Sequence, residues 1–162
     1  MSIETMTAST SATATHGSFT IVREFDAKPE RVFAAFSTPE AKARWFTAPA
    51  LWTQTERSLD FRVGGEEILA GRWEDGKVTH YRARFEEIVP NRRIVSVYHM
   101  HINDWHISIS LATTEVEPSA RGTKMTFTEH ATFINGFQDA NAEGRRTGTA
   151  YLFDNLEASL RE

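Results

Sequence analysis

The sequence predicts an α+β fold, in which a curved antiparallel sheet of about seven strands wraps around a long C-terminal helix, with two short helices after the first strand. Three observations carry this prediction. Two proline-initiated helical segments follow a first strand within residues 26–46, hydrophobic residues then alternate with a period of two as far as residue 132, and helical spacing returns over residues 142–160. Because a one-sided antiparallel sheet must cover its apolar face, we expect the terminal helix to lie across it.

The first strand and the two short helices follow from residue type and from proline. Residues 18–25 are rich in β-branched and aromatic side chains, which is typical of a strand. Pro29 suits the first turn of a helix over residues 30–36, because no N–H is needed there. Thr38 and Pro39 repeat this start signal, with Thr38 as the N-cap of the second helix.

Six further strands are predicted from alternation between turn signals, over residues 53–63, 66–73, 78–89, 92–102, 105–117 and 124–132. Gly64-Gly65 predicts a two-residue hairpin turn, because paired glycines accept the positive φ angles of primed turns. Apolar side chains alternate with polar ones over residues 105–111, so we expect the apolar side of that strand to be buried.

The terminal helix has an apolar stripe at i, i+3, i+4 and i+7 spacing, formed by Thr149, Leu152, Phe153, Leu156 and Leu160. At the other end, residues 1–17 are mostly Ser, Thr and Ala, which cannot offset the entropy of ordering, and we expect a flexible tail there. Without internal repeats or a second linker, residues 18–162 are expected to form a single domain.

Composition excludes several classes of function. The 162 residues include no cysteine, and 18 basic against 22 acidic side chains give a net charge of −4. Disulfides, iron–sulfur clusters and thiolate zinc sites are therefore excluded. The absence of basic runs argues against nucleic acid as a partner, and no apolar run approaches the roughly 18 residues of a membrane span. We expect a cytoplasmic monomer or homodimer without a cofactor.

Several short stretches occur in a definite order and spacing. They are PERVFAAF (29–36), DFRVGG (60–65), YRARFEEIVP (81–90), RIV (93–95), TEH (128–130), GT (148–149) and DNL (154–156). With them the chain resembles the START-like helix-grip superfamily, also called SRPBCC. Within it, the chain resembles the branch named after the C-terminal domain of activators of the 90-kDa heat-shock chaperone ATPase. The resemblance implies a deep cavity between sheet and helix that holds lipids, steroids, polyketides or other apolar molecules.

The sequence also departs from that family. Ala83 replaces a glycine that is common in its strand, and Asn135 replaces the aspartate that commonly precedes Gly136. The N-terminal domain that stimulates the chaperone is not found in the sequence. A full co-chaperone activity is therefore not expected, although a chaperone stays among the partners that the resemblance implies.

An aromatic set at strand edges, loop entries and the terminal helix is one candidate for a binding site. A small-molecule pocket is mostly apolar with a few polar groups, and the same side chains would also form an ordinary core. The aromatic residues that we expect to contact a ligand are Trp45, Phe46, Trp73, Tyr81, Tyr98, Phe133 and Phe137.

Glu129 shares the predicted inner face of its strand with Met125 and Phe127. A buried carboxylate is costly unless it is paired, and Arg145 at the start of the last helix is the expected partner. The pair is either a structural link between strand and helix or, if burial raises the pKa of Glu129, a general acid or base. Glu129 is thus the one candidate catalytic residue, and Glu67 is a second polar candidate for the cavity.

Three histidines, His99, His101 and His106, fall close together across a predicted hairpin. Three imidazoles on one face could bind zinc with an open fourth position. The pattern does not determine the orientation of His106, and the nearby carboxylate of Asp104 would suit a solvated edge. We therefore expect surface or hydrogen-bonding histidines and no metal.

Together these observations predict a domain that binds a small hydrophobic or amphipathic molecule between the sheet and the C-terminal helix. Glu129, with Glu67 or Arg145, would orient the polar end of the ligand. Two alternatives stay open. One is an enzyme of cyclase or hydrolase type acting on an aromatic or polyketide-like substrate, which needs room for substrate beside Glu129. The other is a surface-acting regulator of a heat-shock chaperone ATPase, which predicts a filled cavity.

Overall fold

The computed structural model describes residues 14–136 and 141–162. Its elements are β1 (Thr15–Phe25), α1 (Pro29–Ser37), α2 (Pro39–Ala43), β2 (Trp52–Leu59), β3 (Glu66–Trp73), β4 (Val78–Val89), β5 (Arg93–Ile102), β6 (Trp105–Ser119), β7 (Gly122–Phe133) and α3 (Ala142–Ser159). The seven strands form one antiparallel sheet in the order β1-β7-β6-β5-β4-β3-β2. The predicted fold class is confirmed. Within the described ranges, no helix has the length and apolar character that a bilayer span requires.

The short helices begin where proline and threonine predict. Pro29 occupies the first turn of α1, and the Thr38 hydroxyl accepts a hydrogen bond from the Ala41 N–H at 3.3 Å, which makes Thr38 the N-cap of α2. α2 has only five residues, and the chain from Arg44 to Leu51 has no regular structure. This irregular segment carries two aromatic residues of the candidate site.

β1 begins three residues earlier than the sequence suggests. Thr15 pairs with Phe133, and Gly17 pairs with Ala131, so the ladder with β7 includes residues 15–17 of the stretch expected to be a tail. A ladder supplies backbone hydrogen bonds whatever the side chains are, which the Ser- and Thr-rich composition does not reveal. Residues 1–13 of the expected tail lie outside the described residues.

The hairpin between β2 and β3 differs from the predicted two-residue turn at Gly64-Gly65. β2 ends at Leu59 rather than at residue 63, so six residues join the strands. The Gly65 N–H donates to the Arg62 carbonyl at 2.8 Å, and of the two glycines only Gly64 has a positive φ, of +85°. One positive φ at the third position of a four-residue turn is typical of type II, whereas a type I′ turn needs two in succession.

The face of β6 is also different from the prediction. Ser108 and Ser110 are fully buried, while Leu111 is 42% exposed. The pairing of β5 with β6 shifts register between Met100 and His101, which is a β-bulge. A bulge re-aims side chains because the strand period is two. The serines therefore face the inside of the protein, and part of the predicted apolar face lies outside.

One end of the interior is tightly packed. Helices α1 and α3 meet the sheet there in a continuous buried cluster of Ile21, Phe25, Val32, Phe33, Ala35, Phe36, Trp45, Phe85, Ile94, Val116, Met125, Phe153 and Leu156. Toward the other end, a cavity lies between the sheet and the first half of α3.

Candidate functional site

A cavity of about 590 Å³ lies between the sheet and α3 and is partly open to solvent. Side chains from β3, β4, β5, β6 and β7 form its floor, residues 42–52 form one wall, and residues 141–153 form another. Its exposed lining residues are Pro49, Asn141, Gly144, Gly148 and Tyr151, so the opening lies between the start of α3 and the irregular segment after α2. Most of the lining area is apolar.

Aromatic rings form a continuous part of the wall. The ring centroids of Phe46 and Tyr81 are 5.0 Å apart, and those of Tyr81 and Tyr98 are 4.9 Å apart. Trp45 joins Phe46 edge to face at 5.8 Å and donates its indole N–H to the Ala35 carbonyl at 2.9 Å. These rings present mostly apolar edges and faces, which suits an apolar guest.

The structure brings most of the predicted site residues to the cavity. Lining residues among them are Trp45, Phe46, Glu67, Trp73, Tyr81, Tyr98, Glu129 and Arg145. Phe133 is buried but does not line the cavity, because its ring lies under the Arg145 guanidinium, 5.3 Å from Cζ to the centroid. Phe137 lies outside the described residues.

A third tryptophan, Trp52, also lines the cavity and contacts a neighbouring strand. Its indole N–H donates to the Thr79 hydroxyl at 3.1 Å, and its ring lies directly on Gly71, where any Cβ would collide with it. Gly71 therefore permits the close approach that places Trp52 at the cavity wall.

The first polar group in the cavity is centred on Glu129, which is fully buried. The Tyr98 hydroxyl donates to Glu129 Oε2 at 2.6 Å, and Arg145 Nη1 donates to the same oxygen at 3.2 Å. Arg145 Nη1 also lies 2.9 Å from the Tyr98 hydroxyl. The pair that the sequence predicts between Glu129 and Arg145 is thus present, and Tyr98 completes it.

Two buried serines hold Arg145 from the opposite side. Arg145 Nη2 donates to the Ser108 hydroxyl at 2.7 Å, and Nη1 lies 3.3 Å from the Ser110 hydroxyl. Sequence reasoning assigned these serines to the outside of β6. A buried guanidinium needs several hydrogen-bond acceptors, and this need points to the two serines. The period-two pattern of β6 gives no information about it.

Titration of the Tyr98 group follows from its surroundings. Burial raises the pKa of the Tyr98 hydroxyl far above its ordinary value of 10, and the nearby Arg145 charge does not offset this. Tyr98 therefore keeps its proton at neutral pH and acts as a donor to Glu129. Although burial by itself would lower the pKa of Arg145, its interactions with Tyr98 and Glu129 raise it.

The second polar group is a buried ion pair between Lys42 and Glu67, with 3.0 Å between Nζ and Oε1. Lys42 Nζ also lies 4.6 Å from the centroid of the Phe46 ring, a cation–π distance. The sequence analysis identified Glu67 but missed Lys42. No local pattern points to Lys42, because it lies 25 positions before Glu67 in the sequence.

The three histidines lie together at the hairpin of β5 and β6. His99 Nδ1 is 3.0 Å from His106 Nε2, and the His101 and His106 rings stack with centroids 4.5 Å apart. Burial and then the neighbouring His106 lower the pKa values of both His99 and His101. Within residues 14–136 and 141–162, no group of three or more His, Cys, Asp or Glu side chains has a geometry that could hold a metal ion.

Comparison with known families and proteins adds to this geometry. Residues 26–161 match the family model described as Activator of Hsp90 ATPase homolog 1-like protein. No curated protein matches the sequence.

Several solved structures share the fold. An uncharacterized protein from Rhizobium leguminosarum is 41% identical, with a TM-score of 0.87 over 93% of this chain and 98% of that one. A protein from Rhizobium loti is 38% identical, with a TM-score of 0.82 over 91% of this chain and 99% of that one. A protein from Chromobacterium violaceum is 23% identical and has a TM-score of 0.73 over 90% of this chain and 98% of that one, which is a likeness of fold alone.

Proposed function

Because the chain belongs to the family described as Activator of Hsp90 ATPase homolog 1-like proteins, we propose that it binds a small hydrophobic or amphipathic molecule in the cavity between the sheet and α3. The observation that carries the proposal is the cavity itself. Its volume of about 590 Å³ lies within the range of roughly 300–1,000 Å³ that is usual for small-molecule sites. Its apolar lining with two polar groups is also the usual composition of such a site.

The opening supports the same proposal. Gly144 and Gly148 lie one turn apart on the side of α3 that borders the cavity, and a Cβ at position 148 would meet no atom within 4 Å. Glycine inside a helix is unfavourable by roughly 1 kcal/mol relative to alanine. A glycine that fills no packing need and borders the opening is consistent with a route for a guest molecule.

The two polar groups are suited to anchoring a guest rather than to acid–base chemistry. Both carboxyl groups already face a cation, Glu67 at 3.0 Å and Glu129 at 3.2 Å. Glu129 Oε2 already accepts hydrogen bonds from Tyr98 and Arg145, so this oxygen has no position left for the proton of a substrate. Binding is therefore favoured over the cyclase or hydrolase alternative, for which Glu129 would be the acid or base.

The chaperone-regulator alternative predicts a different interior. A regulator that acts through its surface would have an interior filled by side chains, whereas a cavity of about 590 Å³ is present. Addition of the protein to a 90-kDa heat-shock chaperone separates the two, since a regulator raises the ATPase rate and a carrier of small molecules does not.

The proposal is tested by native mass spectrometry of protein purified from its own host, where we expect a copurifying small molecule. Naphthalene then serves as a defined probe, with binding followed by quenching of tryptophan fluorescence, because Trp45, Trp52 and Trp73 line the cavity. Gly148→Phe places a ring in the opening and should weaken naphthalene binding by about tenfold or more.

Gly148→Ala is the matched control, because it changes the same helix position and adds only a methyl group. We expect it to bind naphthalene within about twofold of the wild type. Protein that is always empty and has no affinity for naphthalene would overturn the proposed function.

A further inference from the structure

A buried carboxylate oxygen in the wall of the cavity, Oε1 of Glu129, has no hydrogen bond from the described part of the protein. We propose that the bound molecule is electrically neutral and donates one hydrogen bond, from a hydroxyl or an N–H group, to this oxygen. This inference rests on the proposed function. The class of ligand is then an apolar alcohol, phenol or amide rather than a carboxylate or a phosphate ester.

Neutrality follows from the charges that face the cavity. Among the described residues, its charged lining side chains are Lys42, Glu67, Glu129 and Arg145, two of each sign. Each cation is paired with a carboxylate, at 3.0 Å for Lys42 and 3.2 Å for Arg145. An anionic ligand would therefore meet no free positive charge in an apolar cavity, where burial of an unpaired ion is very costly.

The need for a donor follows from the geometry at Glu129. Tyr98 and Arg145 Nη1 both direct their hydrogens to Oε2, at 2.6 and 3.2 Å, and Arg145 Nη2 donates to Ser108. Oε1 is left as a fully buried acceptor on a residue that lines the cavity. A buried polar atom without a partner costs about 1–3 kcal/mol, and more when it is charged.

A trapped water satisfies Oε1 less well than a ligand does. Ala112 lies directly opposite Glu129 on β6, and it packs in a small cluster with Ala83, Tyr98 and Phe127. A buried water usually makes about three hydrogen bonds, whereas the side chains of Ala83, Ala112 and Phe127 can make none. A ligand needs only one bond there, because its apolar body is stabilised by the rest of the cavity.

Reaching Oε1 requires a small adjustment of the wall, since Glu129 is fully buried. The unmet hydrogen bond of a buried carboxylate oxygen favours that adjustment when a donor arrives. A ligand without a donor has no such compensation. The preference for a donor is thus the feature that an experiment can measure.

The experiment compares four probes with the same ring system at neutral pH, by quenching of tryptophan fluorescence and by calorimetry. They are naphthalene, 2-naphthol, 2-methoxynaphthalene, which accepts but cannot donate, and 2-naphthoate, which is anionic. For the wild-type protein we expect 2-naphthol to bind about tenfold tighter than 2-methoxynaphthalene, as expected for a hydrogen bond to a charged acceptor. We expect 2-naphthoate to bind more weakly than naphthalene.

Glu129→Gln sharpens the test. The glutamine carbonyl must take the place of Oε2 to accept from Tyr98 and Arg145, so its NH₂ group takes the place of Oε1. A donor then stands where an acceptor stood, and the preference for 2-naphthol over 2-methoxynaphthalene should fall to within about twofold. Glu117→Gln is the matched control, because it removes the same charge from an exposed position on β6 and should leave the preference unchanged.

The outcomes separate this inference from the proposed function. If naphthalene binds but 2-naphthol has no advantage over 2-methoxynaphthalene, or if 2-naphthoate binds best, the inference is wrong and the binding function stands. If none of the four probes binds, the inference is overturned, and the proposed function falls with it when protein purified from its host is also empty. The wild-type comparison decides the matter by itself should Glu129→Gln fail to fold.

Discussion

The two halves of helix α3 lie over the same sheet but over very different interiors. The C-terminal half buries Phe153 and Leu156 in the packed cluster with Phe25, Val32 and Met125. The N-terminal half borders the cavity, with Gly144 and Gly148 on its cavity side. Whether the space under one helix is filled therefore depends on side-chain size along that helix and on which strands lie beneath each turn.

The two halves also differ in how they are held. Apolar packing holds the C-terminal half, with Arg31 Nη2 donating to the Ser159 carbonyl at 3.3 Å. The N-terminal half is held by Arg145 through Glu129, Tyr98 and two serines. Within the described residues, the two least exposed ion pairs both line the cavity. Directional bonds can fix an element across an empty space, whereas apolar packing cannot.

Breaking the polar attachment should have the largest effect. Arg145→Met leaves the fully buried Glu129 without its cation, and we expect a loss of about 3–5 kcal/mol in the free energy of unfolding, measured by urea denaturation. The double variant Arg145→Met with Glu129→Leu removes both charges and should recover most of that loss. A single variant as stable as the wild type would show that the attachment contributes little.

Truncating two leucines of α3 compares the packed cluster with the edge of the cavity. Leu156 is fully buried, and Leu156→Ala should lower the free energy of unfolding by about 2–5 kcal/mol, because it creates a new cavity in packed surroundings. Leu152→Ala, one turn earlier at the edge of the existing cavity, should cost only about 1 kcal/mol, since it enlarges a space that is already present. Equal losses in urea denaturation would contradict the contrast between the packed cluster and the edge of the cavity.

Filling the glycine position should have the smallest effect and the opposite sign. Gly148→Ala removes a flexible residue from the interior of α3, and the new Cβ meets open space. We expect the free energy of unfolding to rise by about 0.5–1 kcal/mol and the thermal midpoint to rise with it. A destabilised variant would mean that position 148 is more crowded than the structure indicates.

Local pattern is sufficient for much of the fold. The alternation over residues 78–89 gives β4 its bounds without error, because turn residues flank it on both sides. Glu129 lies on the inner face of β7, as the period of two requires. The pattern fails at Gly64-Gly65 and on β6, where a wider turn and a bulge change the register, and neither has a distinct signal in one sequence.

The candidate site is only partly predictable for a related reason. The partner of Glu129 could be inferred because Arg145 is a basic residue near the start of the facing helix. Lys42 as the partner of Glu67 and the serines around Arg145 could not, because these contacts join residues 25 and 37 positions apart. Contacts of that kind depend on how separate elements are oriented.

The sequence by itself determined the order of the elements, the family and the inward placement of most aromatic and acidic site residues. These follow from residue type and periodicity, which act over a few neighbouring positions. Only the tertiary structure decided that the space under the first half of α3 stays open and that Glu129 keeps one oxygen without a described partner. Both depend on the summed volume and reach of side chains from distant segments, which no local pattern contains.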